Sequence, residues 1–207
     1  MAERAAFVDV DGTVVDNFES YTEILAEVLQ RPPLSADEIQ DIRSLPLQEN
    51  LHRLDIKPEQ IPGLLNTGRL VAARDIGRAV IFDGMPEALE DLRKLGYDRF
   101  AFSSNGEDTI TTILAQHGIE LEDVIGGVDF NKAERLAASI EQKGLDLEQC
   151  VSIGDTGRDI AAAREVGIRS VAVAWGYSEP ELLATYSPDV IVSMPTELPK
   201  AVESVFK

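Results

Sequence analysis

This sequence predicts an α/β fold, a parallel sheet with helices on both faces, interrupted by an inserted all-helical segment. Three observations carry the prediction. Apolar runs without alternation, Ala5-Ala6-Phe7-Val8-Asp9-Val10 first among them, read as strands buried on both faces. From about Val80 onward strand and helix patterns alternate, the rhythm of right-handed βα crossovers. Between about Phe18 and Ala79 the periodicity is helical, with no convincing strand. The 207 residues therefore divide into a core of residues 1–16 and 80–207 and a helical insert of residues 17–79.

The first strand runs into Asp11-Gly12-Thr13, a turn signal. In the insert, Glu19 to Leu29 carries Tyr21, Ile24, Leu25, Val28 and Leu29 at helical spacing. Pro32-Pro33 stops that helix, because proline has no N–H to continue the ladder. Ser35 with Glu38 three residues on is a capping-box pattern, opening a helix through Ile39 and Ile42. Leu47 to Leu54 and Leu64 to Ile76 read as two further helices, with Pro58 and Pro62 between them. Beyond the insert, Met85-Pro86 starts a helix closed by Gly96. Phe100 to Ser103 is a strand, Glu107 to His117 a helix ended by Gly118, and Val124 to Val128 a short strand. Lys132 to Lys143 is a helix closed by Gly144, Val151 to Ile153 a strand, and Arg158 to Val166 a helix closed by Gly167. Ser170 to Ala174 and Val190 to Val192 are the last strands, before a terminal helix near Leu198 to Phe206.

Composition excludes several classes. Hydrophobic residues make up 44% and charged residues 27%, so the chain is globular and not a disordered acidic tail. With 19 Lys+Arg against 37 Asp+Glu the net charge is −18, which repels phosphate backbones and anionic lipid; nucleic-acid and membrane-surface binding are disfavoured. The basic residues are 6 Lys and 13 Arg, a balance compatible with a high-salt surface or with an ordinary acidic protein. No apolar run approaches the roughly 20 residues of a membrane helix. Met1-Ala2-Glu3-Arg4 leads into no signal-peptide apolar region. The single cysteine, Cys150, allows no internal disulfide and reads as small core filler; a reducing, cytoplasmic setting is expected.

In a parallel sheet the ligand lies beyond the carboxyl ends of the strands, so the polar residues after each strand are the ones that matter. They are Asp9, Asp11, Gly12 and Thr13; Ser104, Asn105 and Gly106; Lys132; and Gly154, Asp155, Thr156 and Asp159. Clustered carboxylates repel unless a hard divalent cation such as Mg²⁺ shares them. A cation together with Lys132 makes a locally positive cleft, which suits an anionic substrate. Ser104 and the glycine turns can present hydroxyl and N–H groups to phosphate oxygens. An aspartate held against Mg²⁺ can attack phosphorus, and a carboxylate two residues on can protonate the leaving group and then activate water.

These motifs carry a resemblance. Asp9-Val10-Asp11-Gly12-Thr13-Val14-Val15-Asp16 resembles the first motif, DxDGTxxD, of the haloacid dehalogenase (HAD) superfamily, and Gly154-Asp155-Thr156-Gly157-Arg158-Asp159 resembles its fourth. Phe102-Ser103-Ser104-Asn105-Gly106 is similar to the second motif and Lys132 to the third. Trp175-Gly176-Tyr177 and Pro188-Asp189-Val190-Ile191 resemble the phosphoglycolate phosphatase-like branch. That branch often follows the third-motif lysine with proline, whereas Ala133 follows Lys132 here. The resemblance implies a Rossmann-like core with a helical cap, and an Mg²⁺-dependent phosphatase acting on a small phosphorylated metabolite. It implies Asp9 as nucleophile and Asp11 as general acid/base. Mg²⁺ would be held by the Asp9 carboxylate, the Asp11 backbone carbonyl and Asp155, with Asp159 close by. Ser104 and Lys132 would hold the transferred phosphoryl group, helped by N–H groups near Gly12 and Asn105.

Simpler readings compete at several positions. Asp155 and Asp159 also suit a helix N-terminus, and Ser103 could take the place of Ser104 after a one-residue register slip. Lys143 rivals Lys132, although it precedes Gly144 at a helix end where lysine is structurally favoured. His117 reads as a helix C-terminal residue and His52 as a surface residue, while Arg43, His52 and Arg53 could meet substrate from the insert. Among functions, a β-phosphoglucomutase-like sugar-phosphate mutase would carry the same signature residues. A receiver-type phosphoacceptor module also groups Asp, Ser/Thr and Lys on a parallel sheet, but without a helical insert over the site. Substrate identity and oligomeric state are open at this level.

Overall fold

The computed structural model describes residues 4–129 and 131–207. The chain opens with β1 (Arg4–Val8), in which Ala5 to Val8 are at most 1% exposed, as a strand covered on both faces requires. After a tight turn comes β2 (Val15–Asp16), and then four helices: α1 (Phe18–Val28), α2 (Ala36–Ser44), α3 (Leu47–Arg53) and α4 (Ile61–Arg74). The capping box forms as expected: Glu38 N–H donates to Ser35 Oγ at 3.3 Å and Ser35 N–H to Glu38 Oε2 at 2.9 Å. The chain returns through β3 (Val80–Ile81) to α5 (Met85–Lys94), β4 (Tyr97–Phe102), α6 (Glu107–Gln116), β5 (Asp123–Ile125) and α7 (Lys132–Lys143). It closes with β6 (Cys150–Gly154), α8 (Gly157–Val166), β7 (Arg169–Val173), α9 (Pro180–Thr185), β8 (Val190–Val192) and α10 (Leu198–Ser204).

Among the described residues, six strands form one parallel sheet in the order β5-β4-β1-β6-β7-β8, with Phe7 opposite Phe100 on one side and Ser152 on the other. Successive side chains of β1 point to opposite faces, so each face has its own core. Ala6 and Val8 pack with Leu89, Leu92, Leu198 and Val202; Ala5 and Phe7 pack with Phe102, Leu136, Ile140 and Ala163. The helices α1–α4 carry a smaller cluster of their own around Leu25, Leu34 and Ile56. No helix among the described residues is long and apolar enough to cross a membrane.

The structure differs from expectation in three respects. β2 and β3 pair antiparallel, Val15 with Ile81 and Asp16 with Val80, closing both chain crossings into the insert. Helix α9 was not expected from the pattern. β5 ends at Ile125 and does not reach Val128, because the chain turns away at Gly126-Gly127 to dock on the second-motif loop: Gly127 N–H donates to Asn105 O at 2.8 Å and Val128 N–H to Ser103 O at 2.9 Å.

Candidate active site

The site is built where β1 ends. Asp9 N–H donates to Ile153 O at 2.8 Å, extending the β1–β6 ladder by one residue, and the chain then reverses around the carbonyl of Val10. That carbonyl accepts the N–H groups of Val14 and Val15, both at 2.9 Å. The reversal needs Gly12 at φ +79°, and a Cβ there would fall 2.3 Å from Asp155 Oδ2. The buried Thr13 hydroxyl donates to Asp155 Oδ1 at 3.0 Å, and Trp175 Nε1 donates to Thr13 O at 3.0 Å. The turn is thereby tied to the ends of β6 and β7.

Carboxylate oxygens of Asp9, Asp155 and Asp159 lie within 4.8 Å of one another. Asp155 is 0% and Asp159 2% exposed. Tyr177 N–H donates to Asp155 Oδ2 at 2.7 Å. Asp159 accepts the Thr156 N–H at 3.0 Å and its hydroxyl at 2.6 Å, so it caps α8, and it also faces the carboxylate cluster. Lys132 Nζ donates to Asp9 Oδ1 at 2.6 Å and forms an ion pair with Asp159. Burial pushes the Asp9 carboxyl well above its ordinary value; Lys132 opposes the rise, while Asp159, Asp155 and Asp11 add to it. Burial, aided by Asp159, pushes Asp155 up to about 7. Burial also works against the Asp159 carboxylate, but Lys132 and the Thr156 donors outweigh it and hold that carboxyl below its usual range. For Lys132, burial alone would lower the ammonium; Asp159 and Asp9 overcome it and hold it above the ordinary value. The buried Asp155 and Asp159 and the half-buried Asp9 face a single ammonium, too little positive charge for all three to ionise freely. An all-oxygen donor set of this kind fits a hard divalent cation.

The Asp11 carboxylate stands outside that cluster. Its Oδ1 accepts Asn17 Nδ2 at 2.7 Å and Asn105 Nδ2 at 2.9 Å, and its Oδ2 accepts Ser103 Oγ at 2.8 Å. Tyr177 hydroxyl in turn donates to Asn17 Oδ1 at 2.8 Å. Ser103 and Ser104 therefore take different places: Ser103 is buried against Asp11, while Ser104 lines the cavity with Asp9, Asp11 and Lys132. The N–H groups of Gly12 and Asn105 themselves are engaged within the protein, Gly12 N–H with Val15 O at 2.9 Å and Asn105 N–H with Ser103 Oγ at 3.0 Å.

The insert reaches the site through a residue that sequence reading missed. Arg69 on α4 donates to Ser104 O at 2.7 Å and forms an ion pair with Asp129, whose carbonyl also accepts Arg158. Arg43, His52 and Arg53 do not line the cavity. Arg43 lies over the Phe18 ring at 5.0 Å and Arg53 pairs with Asp41. Lys143 pairs with Asp123, and Cys150 is buried core. Asn17 and Tyr177 were also missed as site residues. Asn17 directly follows the first motif and Tyr177 closes Trp175-Gly176-Tyr177, so motif adjacency was the available signal.

The chain is also similar to known proteins. The pattern of the haloacid dehalogenase-like hydrolase family matches residues 7–173. A phosphoglycolate phosphatase of Synechococcus elongatus is 26% identical over 99% of this chain and 99% of its own length. The tyrosine-protein kinase PtkA of Mycobacterium tuberculosis is 27% identical over 91% of this chain and 68% of its own. Among solved structures, a haloacid dehalogenase-like hydrolase of Streptococcus pneumoniae superimposes with a TM-score of 0.77 at 26% identity, covering 99% of this chain and 98% of that one.

Proposed function

Because the chain belongs to the haloacid dehalogenase-like hydrolase family, we propose that it is an Mg²⁺-dependent phosphatase that hydrolyses a small phosphorylated metabolite through an aspartyl-phosphate. The observation that carries this reading is the Asp9, Asp155 and Asp159 cluster with Lys132 set into it. Mg²⁺ on Asp9, the Asp11 carbonyl and Asp155, with Asp159 beside it, would supply Lewis-acid neutralisation of the phosphoryl oxygens. Asp9 attacks phosphorus and the P–O bond to the leaving group breaks, while Asp11 gives that oxygen its proton. Asp11 then takes a proton from water, which attacks the phosphorus of the aspartyl-phosphate and frees Asp9. Lys132 and Ser104 hold the transferred phosphoryl group, the former as a fixed positive charge and the latter through its hydroxyl. Residues 17–79 act as a cap that excludes water and reads the organic part of the substrate.

Phosphoglycolate is the substrate in the name of the Synechococcus relative, and it is the first ester to assay. The decisive experiment measures inorganic phosphate released from p-nitrophenyl phosphate. Many turnovers per protein with Mg²⁺, and none with a chelator, support the proposal. A single labelling event per chain would instead indicate a receiver-type module, and isomerisation of a sugar phosphate a mutase.

A further inference from the structure

The cavity that holds Asp9, Asp11 and Lys132 does not end at the catalytic carboxylates. It continues among the helices of the insert, with a volume of 390 Å³, and its walls there include Tyr21, Ile24, Ile42, Leu45, Leu51 and Leu65. That volume lies within the roughly 300–1,000 Å³ of sites that enclose whole small molecules. A two-carbon acid beside the phosphoryl group would leave most of the apolar wall uncovered.

The basic groups along this cavity each contact a protein partner. Arg69 is held by Ser104 O and Asp129, Arg158 by the Asp129 carbonyl, and Lys132 by Asp9 and Asp159. Arg78, largely exposed, lies 3.9 Å from Asp75. Asp16 and Asp75 also line the cavity and would repel a second anion. The buried Asn50 spends its amide on the carbonyls of Ile42 and Leu45, at 3.1 and 3.0 Å. A carboxylate pushed among the apolar walls would lose its hydration, and it would have to compete with Asp129 for Arg69 and with Asp75 for Arg78.

We propose that the organic part of the substrate is an uncharged apolar group, an alkyl or aryl moiety seated against these insert residues, in place of a second carboxylate or phosphate. The inference rests on the phosphatase reading and narrows it away from phosphoglycolate. Each methylene that leaves water for such a wall raises kcat/KM roughly fourfold, so the preference is measurable as a chain-length series.

The test uses the intact protein with Mg²⁺ and compares kcat/KM for ethyl, butyl and hexyl phosphate with that for phosphoglycolate. The expected result is a rise of at least about tenfold from ethyl to hexyl phosphate, with hexyl phosphate above phosphoglycolate. Leu65→Lys, which brings an ammonium to a half-buried position of the wall, should lower hexyl phosphate about tenfold and raise phosphoglycolate. Leu65→Gln should lower hexyl phosphate without that gain. A flat series, or phosphoglycolate as the better substrate of the unaltered protein, overturns this inference and leaves the phosphatase reading standing. Release of phosphate from none of these esters, nor from p-nitrophenyl phosphate, overturns the phosphatase reading beneath it.

Discussion

Lys132 Nζ lies 2.6 Å from Asp9 Oδ1, although 123 residues separate them along the chain. The contact is possible because Asp9 follows β1 while Lys132 opens α7, and both face the carboxyl edge of the sheet. The lysine meets Asp159 with the same ammonium. One positive charge thus restrains the proposed nucleophile and a proposed neighbour of the metal.

Lys132→Met is expected to lower turnover at least about a hundredfold, the scale of losing one fixed group that faces developing charge. It also leaves Asp9 and Asp159 buried without their counter-ion, so the melting temperature without metal should fall. Thermal denaturation with and without Mg²⁺, beside the p-nitrophenyl phosphate assay, measures both. Unchanged turnover in this variant would remove Lys132 from the site.

Asp9→Asn is expected to reduce turnover at least about a thousandfold, since the covalent step is lost. Its stability should not suffer. Burial already pushes the Asp9 carboxyl well above its ordinary value, so a neutral amide of the same shape removes an unfavourable charge. A melting temperature equal to or above that of the unaltered protein, in metal-free buffer, is the expected reading.

Mg²⁺ should stabilise the protein more at pH 8 than at pH 5. Asp155 is raised from 3.8 to about 7, and Asp9 moves the same way, so the folded metal-free protein binds protons more tightly than the unfolded chain. Their contribution to stability is complete below about pH 4 and is lost as pH rises toward 7. Asp159 and Lys132 are shifted out of that window in opposite directions, so they do not cancel the effect. At pH 5 a cation must first displace protons from this cluster, and at pH 8 it relieves repulsion. The increment in melting temperature with Mg²⁺ across this pH range is the measurement; a larger increment at pH 5 would contradict the assignment.

Gly12→Ala should abolish activity while touching no chemical group. Its backbone sits at φ +79°, and the new methyl would lie 2.3 Å from Asp155 Oδ2 and 2.6 Å from the Tyr177 ring. The conformational cost is about 1–2 kcal/mol, and the clash displaces the Asp155 carboxylate besides. Calorimetric titration with Mg²⁺ should show weakened binding in a chain that is still folded by circular dichroism.

The core fold and the motif carboxylates were legible in the sequence because their signals are local. An apolar run buried on both faces, a capping box at Ser35 and Glu38, and glycines closing helices each act over a few residues. The aspartates of the first and fourth motifs stand directly after such strands, so strand position alone aims them at one edge. By itself the sequence thus determined the α/β class and the helical stretch after Asp16, and it brought forward Asp9, Asp11, Ser104, Lys132, Asp155 and Asp159 as candidate site residues. Tertiary structure alone decided that Asp11 is held by Asn17, Ser103 and Asn105, that Ser103 and Ser104 divide their tasks, and that Arg69 joins the insert to Ser104 and Asp129. It also decided the pairing of β2 with β3, whose two-residue strands are too short to show a period. The physical reason is common to all of these. A hydrogen bond or ion pair between distant segments depends on packing that brings them within about 3 Å, and a side chain's chemical type does not specify which partner that packing delivers.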